Sequence, residues 1–131
     1  MDHVLPQKLM DDVEAASSKK TKLSTRVMLI RGFLSGALLA YATAFAYKAS
    51  EGLAEGVGAL VAGAVFPVGF AMIVLLGLEL ATGNFAVLPV GMVRGRLGWR
   101  RMMRNWSWVY LGNFLGSIFV GSLLAVILPC H

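Results

Sequence analysis

The chain has 131 residues, of which 57% are hydrophobic and only 15% charged; it carries 15 glycines and a formal charge of +5. A soluble domain is near half apolar and about a quarter charged, so soluble globular, disordered and fibrous classes are excluded and an integral membrane protein is indicated. A polar tail of about 25 residues leaves room for three or four spans of about 20 residues each, which is short for a solute pathway through one chain.

The tail comes first. Leu5, Leu9, Val13 and Ala16 recur at helical spacing, with Asp11, Asp12 and Glu14 between them and Pro6 suited to a first turn. This predicts an amphipathic helix over roughly 6–18, lying at the cytoplasmic surface. The stretch 17–25 reads as a basic linker, so residues 1–26 form a cytoplasmic unit ahead of a membrane domain, 27–131. The tail has no apolar segment of the signal-peptide kind.

The first span is expected at about 27–47. Arg31 sits near its cytoplasmic end, where it can snorkel to the headgroups. Gly32, Gly36, Ala40 and Ala44 recur every four residues, a small-residue stripe on which another helix can pack closely. The polar segment 48–55, KASEGLAE, reads as an outside loop.

The stretch 56–93 is 38 residues with one charge, Glu79. As a straight helix it would be about 57 Å long, against a hydrocarbon core of about 30 Å. Two solutions arise. A hairpin turning at Thr82-Gly83-Asn84 gives four spans, and puts Arg94 to Arg104 outside. A single crossing broken near 79–88 keeps those arginines inside. Eleven of the twelve basic residues fall before or at the cytoplasmic end of the first span, where Arg31 lies, or in the 94–104 segment, and the positive-inside rule places both groups in the cytoplasm. The broken crossing is therefore preferred. Pro67 and Pro89 can kink it. Glu79, Thr82, Gly83 and Asn84 put an acid, a hydroxyl, a glycine and an amide in an apolar setting, and irregular backbone at membrane depth survives only where protein buries it or a cavity hydrates it. Discontinuous helices also mark solute sites in transporters.

The segment 92–105 is a basic cytoplasmic loop or interfacial helix with Trp99 as a headgroup anchor. The last span, about 105–128, has Trp106, Trp108 and Tyr110 as an aromatic belt at its inner end. Gly112 and Gly116 give it a close-packing face, and Asn113 on that face is expected to bond a neighbouring helix.

No nucleophile–base pair, phosphate loop or Cys/His metal cluster is present, so neither an enzyme nor a cofactor is expected. The single cysteine, Cys130, excludes an intrachain disulfide, and His3 and His131 read as solvated terminal residues. Basic patches that flank spans argue for a lipid bilayer as partner, not nucleic acid.

Three pieces together resemble the formate/nitrite transporter family. They are Phe66-Pro67-Val68-Gly69-Phe70 leading into GLELATGN at 77–84, then Gly95-Arg96-Leu97-Gly98-Trp99 with Asn105-Trp106, and VYLGNFLG at 109–116. The resemblance implies an all-α membrane fold, one half of an aquaporin-like inverted-repeat bundle, with three spans of which the second is broken. It implies a pentameric homo-oligomer in the cell's inner (plasma) membrane, with the N-terminus cytoplasmic and the C-terminus outside. It also implies passage of a small monocarboxylate or nitrite-like anion. By matching position, Phe66 and Phe70 would line an outer constriction, and Leu80, Ala81 and Thr82 an inner one. Glu79, Gly83 and Asn84 would support the loop. Ala81 stands where the family usually has a bulky aromatic. Only the first half of the family pattern is matched; the central histidine belongs to the other half. The chain is therefore expected to conduct poorly alone. The residues leave open an alternative, a small non-transporting membrane scaffold or assembly subunit.

Overall fold

A computed structural model describes residues 5–128; His3, Cys130 and His131 lie outside the described residues. The described chain forms six helices: α1 (Pro6–Thr21), α2 (Thr25–Ser50), α3 (Glu55–Val65), α4 (Pro67–Leu75), α5 (Ala81–Val93) and α6 (Trp99–Ile127). Three segments are long and apolar enough to cross a membrane: Thr25–Ser50, Glu55–Leu75 and Trp99–Ile127. The chain is thus an all-α membrane protein. α3 and α4 make one such segment because the interruption is a single residue, Phe66, which keeps helical dihedrals ahead of Pro67.

α2 and α6 form the central pair. Their contact is built from glycines on both sides. A Cβ added at Gly32 would lie 3.0 Å from the Val109 carbonyl, and one at Gly112 would lie 2.9 Å from that of Leu29. A Cβ at Gly36 would strike the backbone of Asn113, and one at Gly116 that of Phe33. The expected stripe on α2 therefore splits. Gly32 and Gly36 face α6, whereas the upper half packs through Ala42 against Gly69 of α4. Ala40 and Ala44 stand only half-buried beside that line.

This geometry makes a prediction. Gly36→Leu should destabilise the purified chain by about 3 kcal/mol or more, because the colliding atoms are backbone and cannot rotate away. Gly63→Ala, on a helix face with nothing within 4 Å, should be neutral or stabilising by about 0.5–1 kcal/mol. Unfolding midpoints in detergent check both; equal effects would remove the close-contact explanation.

α5 follows α4 in the same direction. Its first residue bonds Asn113, midway along α6, and its Leu88 packs with Leu97, just ahead of α6, and with Met102 in the first turn of α6. The stretch from α3 to α5 is therefore one crossing in two pieces, not a hairpin. The irregular part is 76–80, earlier than expected; Thr82, Gly83 and Asn84 are inside α5.

α1 docks on α5 and on the first turns of α6. It extends to Thr21, leaving 22–24 as the linker, because Ser17 and Thr21 are buried against the α5 end. Ser17 lies so close to Gly91 that a Cβ there would collide with its hydroxyl. Thr21 Oγ1 satisfies itself on the carbonyls of Ser17 and Ser18. Leu5, the N-cap residue of α1, and Leu9 in its first half remain 69% and 54% exposed. Arg94 donates to Asp11 and Glu14 and Arg96 to Glu14, each at 2.9 Å. The two basic segments thus meet at one end of the bundle. Hydrogen bonds from Arg94 to Glu14 and then Asp11 push its guanidinium pKa above the ordinary value.

Candidate functional site

The second crossing is broken after α4 because of Gly77. It has φ +62°, in the left-handed region, where a side chain is strained and glycine is not. Its N–H donates to Val74 and that of Leu78 to Ile73, at 3.1 and 3.0 Å. These two bonds are a Schellman close. Gly95 ends α5 in the same way, with φ +71° and bonds from Gly95 to Met92 and from Arg96 to Gly91.

Between Gly77 and α5 the backbone has no helical partners, so side chains replace them. Asn113 supplies most. Its Oδ1 accepts from the Ala81 N–H at 2.8 Å. Its Nδ2 faces the Glu79 carbonyl at 3.0 Å, the Gly32 carbonyl at 2.8 Å and Ser35 Oγ at 2.7 Å. Ser35 Oγ in turn lies 2.6 Å from the Glu79 carbonyl. One amide and one hydroxyl thus bind the break to both long helices.

The Glu79 side chain points the other way, and the residue as a whole is 3% exposed. Oε2 accepts from Lys20 Nζ at 2.9 Å and from Asn84 Nδ2 at 2.8 Å. Asn84 Nδ2 also donates to Asn105 Oδ1, and Asn105 Nδ2 to the Lys20 carbonyl at 3.1 Å. The acceptors around Asn84 Nδ2 fix both amide orientations. Trp106 Nε1 donates to the Asn84 carbonyl, and its ring meets Phe85 edge-on at 4.9 Å. Glu79, Asn84 and Asn105 therefore form a closed polar chain that ties α5 to α1 and α6.

The expected site residues separate into two groups. Glu79, Ala81 and Asn84 lie in the packed side. Ala81, expected at the inner constriction, is 5% exposed and packs with Met28 and Val109; its N–H is pinned by Asn113, which turns its methyl into the bundle. Thr82 and Gly83 are exposed. Among the described residues, no hydrogen bond uses their N–H groups or the Thr82 hydroxyl. Leu80, half-buried, occupies the N-cap position between the groups. Phe66 and Phe70 stand 39% and 50% exposed beside the line through Gly69 and Ile73 that packs inward. Among the described residues there is no cluster that could hold a metal ion.

Sequence reasoning missed Lys20, Ser35 and Gly77. Lys20 lay in a presumed linker. Ser35 is a hydroxyl within an otherwise apolar span, and Gly77 is a glycine one residue past an apolar run; both are legible signals in retrospect. Asn113 was expected to bond a neighbour, and does so, but its main partner is the break.

The profile of the family described as formate/nitrite transporter matches residues 7–130. A probable formate transporter of Methanothermobacter thermautotrophicus is 37% identical over 119 residues, 86% of this chain and 43% of its own. The formate channel BtFdhC of Bacillus thuringiensis is 36% identical over 118 residues, 88% of this chain and 46% of its own. The formate channel FocA of Haemophilus influenzae is 36% identical over 122 residues, 91% of this chain and 43% of its own. The chain thus spans less than half the length of these curated relatives. A solved structure described as an FNT family ion channel has the same fold, with TM-score 0.84 and 24% identity over 92% of this chain and 49% of that one.

Proposed function

The chain belongs to the formate/nitrite transporter family, a family of transporters and not of enzymes, and on that premise we propose that it forms one wall of a pathway for formate- or nitrite-sized monovalent anions. The observation that carries this reading is the two-sidedness of the break. One side is bonded through Asn113, Ser35, Glu79 and the Nδ2 of Asn84, whose buried Oδ1 has no partner among the described residues. The other side offers the Thr82 hydroxyl and the unbonded N–H groups of Thr82 and Gly83.

Those N–H groups form the positive end of a half-helix, which favours an anion. The Thr82 hydroxyl can donate to a carboxylate or nitrite oxygen that has lost a water. Phe66, Phe70 and Leu80 supply apolar surface that excludes hydrated ions. Ala81 acts here by seating Leu80 and Thr82, its own side chain being packed. Glu79 positions the loop and does not carry the solute. The basic end faces the cytoplasm of the inner (plasma) membrane by the positive-inside rule. The N-terminus is then cytoplasmic and the C-terminus outside. Copies of the unit assemble as a homo-oligomer, a pentamer by family likeness. The remaining wall of each pathway comes from a second three-span unit, so the chain alone conducts poorly.

The test is formate flux into proteoliposomes. The chain reconstituted alone should stay near empty liposomes. Co-reconstituted with the remaining half of a full-length relative, it should give flux above either part, and Thr82→Val should reduce that flux about tenfold. Co-reconstitution with no excess flux would sink the reading, and strong flux from the chain alone would remove the second unit from it.

A further inference from the structure

The end of the bundle where α1 meets the α5–α6 loop carries a cleft of about 620 Å³, lined among others by Glu14, Ser18, Lys22, Arg94, Arg96 and Arg101. Its charges do not cancel. The two carboxylates that line it, Asp11 and Glu14, are taken by Arg94 and Arg96. Lys22 and Arg101 face the same cleft with no carboxylate partner among the described residues. Arg101 lies in the first turn of α6, whose N-cap is Gly98 with no side-chain cap, so the positive helix end adds to the same field.

The position of this surplus matters as much as its sign. α6 is the longest span, and Trp99 at its first residue is 60% exposed. An exposed tryptophan at a span terminus marks headgroup depth. Lys22 and Arg101 therefore converge where lipid phosphates lie, and long cationic side chains there gain on the order of tenfold in binding to an anionic surface.

We propose that this cleft binds the phosphate of an anionic phospholipid from the adjacent leaflet. Lys22 and Arg101 hold the phosphate and Ser18 offers its hydroxyl. Arg94 and Arg96 hold α1 in place to complete the cleft. The lipid thereby bridges α1 to α6, on the far side of α1 from its Lys20–Glu79 contact.

The test titrates the detergent-solubilised chain with phosphatidylglycerol or phosphatidylcholine and reads lipid binding by native mass spectrometry. Phosphatidylglycerol should bind on the order of tenfold tighter. Lys22→Gln/Arg101→Gln should erase the preference, whereas Lys22→Arg/Arg101→Lys should keep it. Lys8→Gln/Lys48→Gln, which removes the same charge elsewhere, should also keep it. Inorganic phosphate should not displace the lipid. A preference that survives Lys22→Gln/Arg101→Gln, or is lost equally in the Lys8/Lys48 pair, overturns the site. Loss in the charge-conserving pair does so too. Displacement by inorganic phosphate overturns the lipid as its occupant.

Discussion

Replacing Lys20 by methionine is expected to destabilise the chain by about 3–5 kcal/mol, more than any other exchange of a charged residue. Among the described residues Lys20 Nζ is the only cation on Glu79, whose side chain is 4% exposed. Removing one member of a buried pair leaves the other uncompensated, and that penalty exceeds what the intact pair contributes. Glu79→Gln is expected to be milder, about 1–2 kcal/mol. The glutamine oxygen still accepts from Asn84 or Lys20, and Lys20, 24% exposed, reaches water. The double variant Lys20→Met/Glu79→Gln should then recover most of the Lys20→Met loss. The measurement is a denaturant titration of all four proteins in one detergent. If Lys20→Met is no worse than Glu79→Gln, or the double variant is no better than Lys20→Met, the pair is not what holds α1 to the break.

Asn113→Ala is expected to cost about 2–4 kcal/mol. It strips the Ala81 N–H of its acceptor, and a buried donor left unmade costs about 1–3 kcal/mol. It also removes one of two donors to the Glu79 carbonyl. Ser35→Ala removes the other and leaves Asn113 in place, so its cost should be near 1 kcal/mol, typical of a polar contact between spanning helices. The same titration separates them. A Ser35→Ala effect equal to or larger than that of Asn113→Ala would shift the anchoring role from α6 to α2. Neither variant alters the α2–α6 glycine contact, so both should still insert.

The broken crossing was legible because length and charge left little choice. Thirty-eight residues with one acid exceed the bilayer, and the arginines at 94–104 demand an inner position. The glycines of α2 and α6 were legible because their spacing is periodic. The exact place of the break was not. Thr82, Gly83 and Asn84 look like a turn by composition, yet they form the first turn of α5, where Asn113 on a distant helix supplies the acceptor that starts it. The ion pair to Lys20 was illegible for the same reason, since 59 residues separate its partners. Of the loop residues, Glu79 and Asn84 announced themselves as polar groups in an apolar run. The burial of Ala81 depended on Met28 and Val109, which nothing local to Ala81 specifies.

Gly77 has a consequence for how the chain is made. By closing α4 where it does, it leaves Glu55–Leu75 as a complete hydrophobic segment for the insertion machinery. α5, 13 residues long, is close to the limit at which a helix is stable by itself. Its anchors on α6, namely Asn105, Trp106 and Asn113, are synthesised after it. α5 therefore waits in an unfinished state until α6 arrives, so a spanning helix translated later is the one that completes the second.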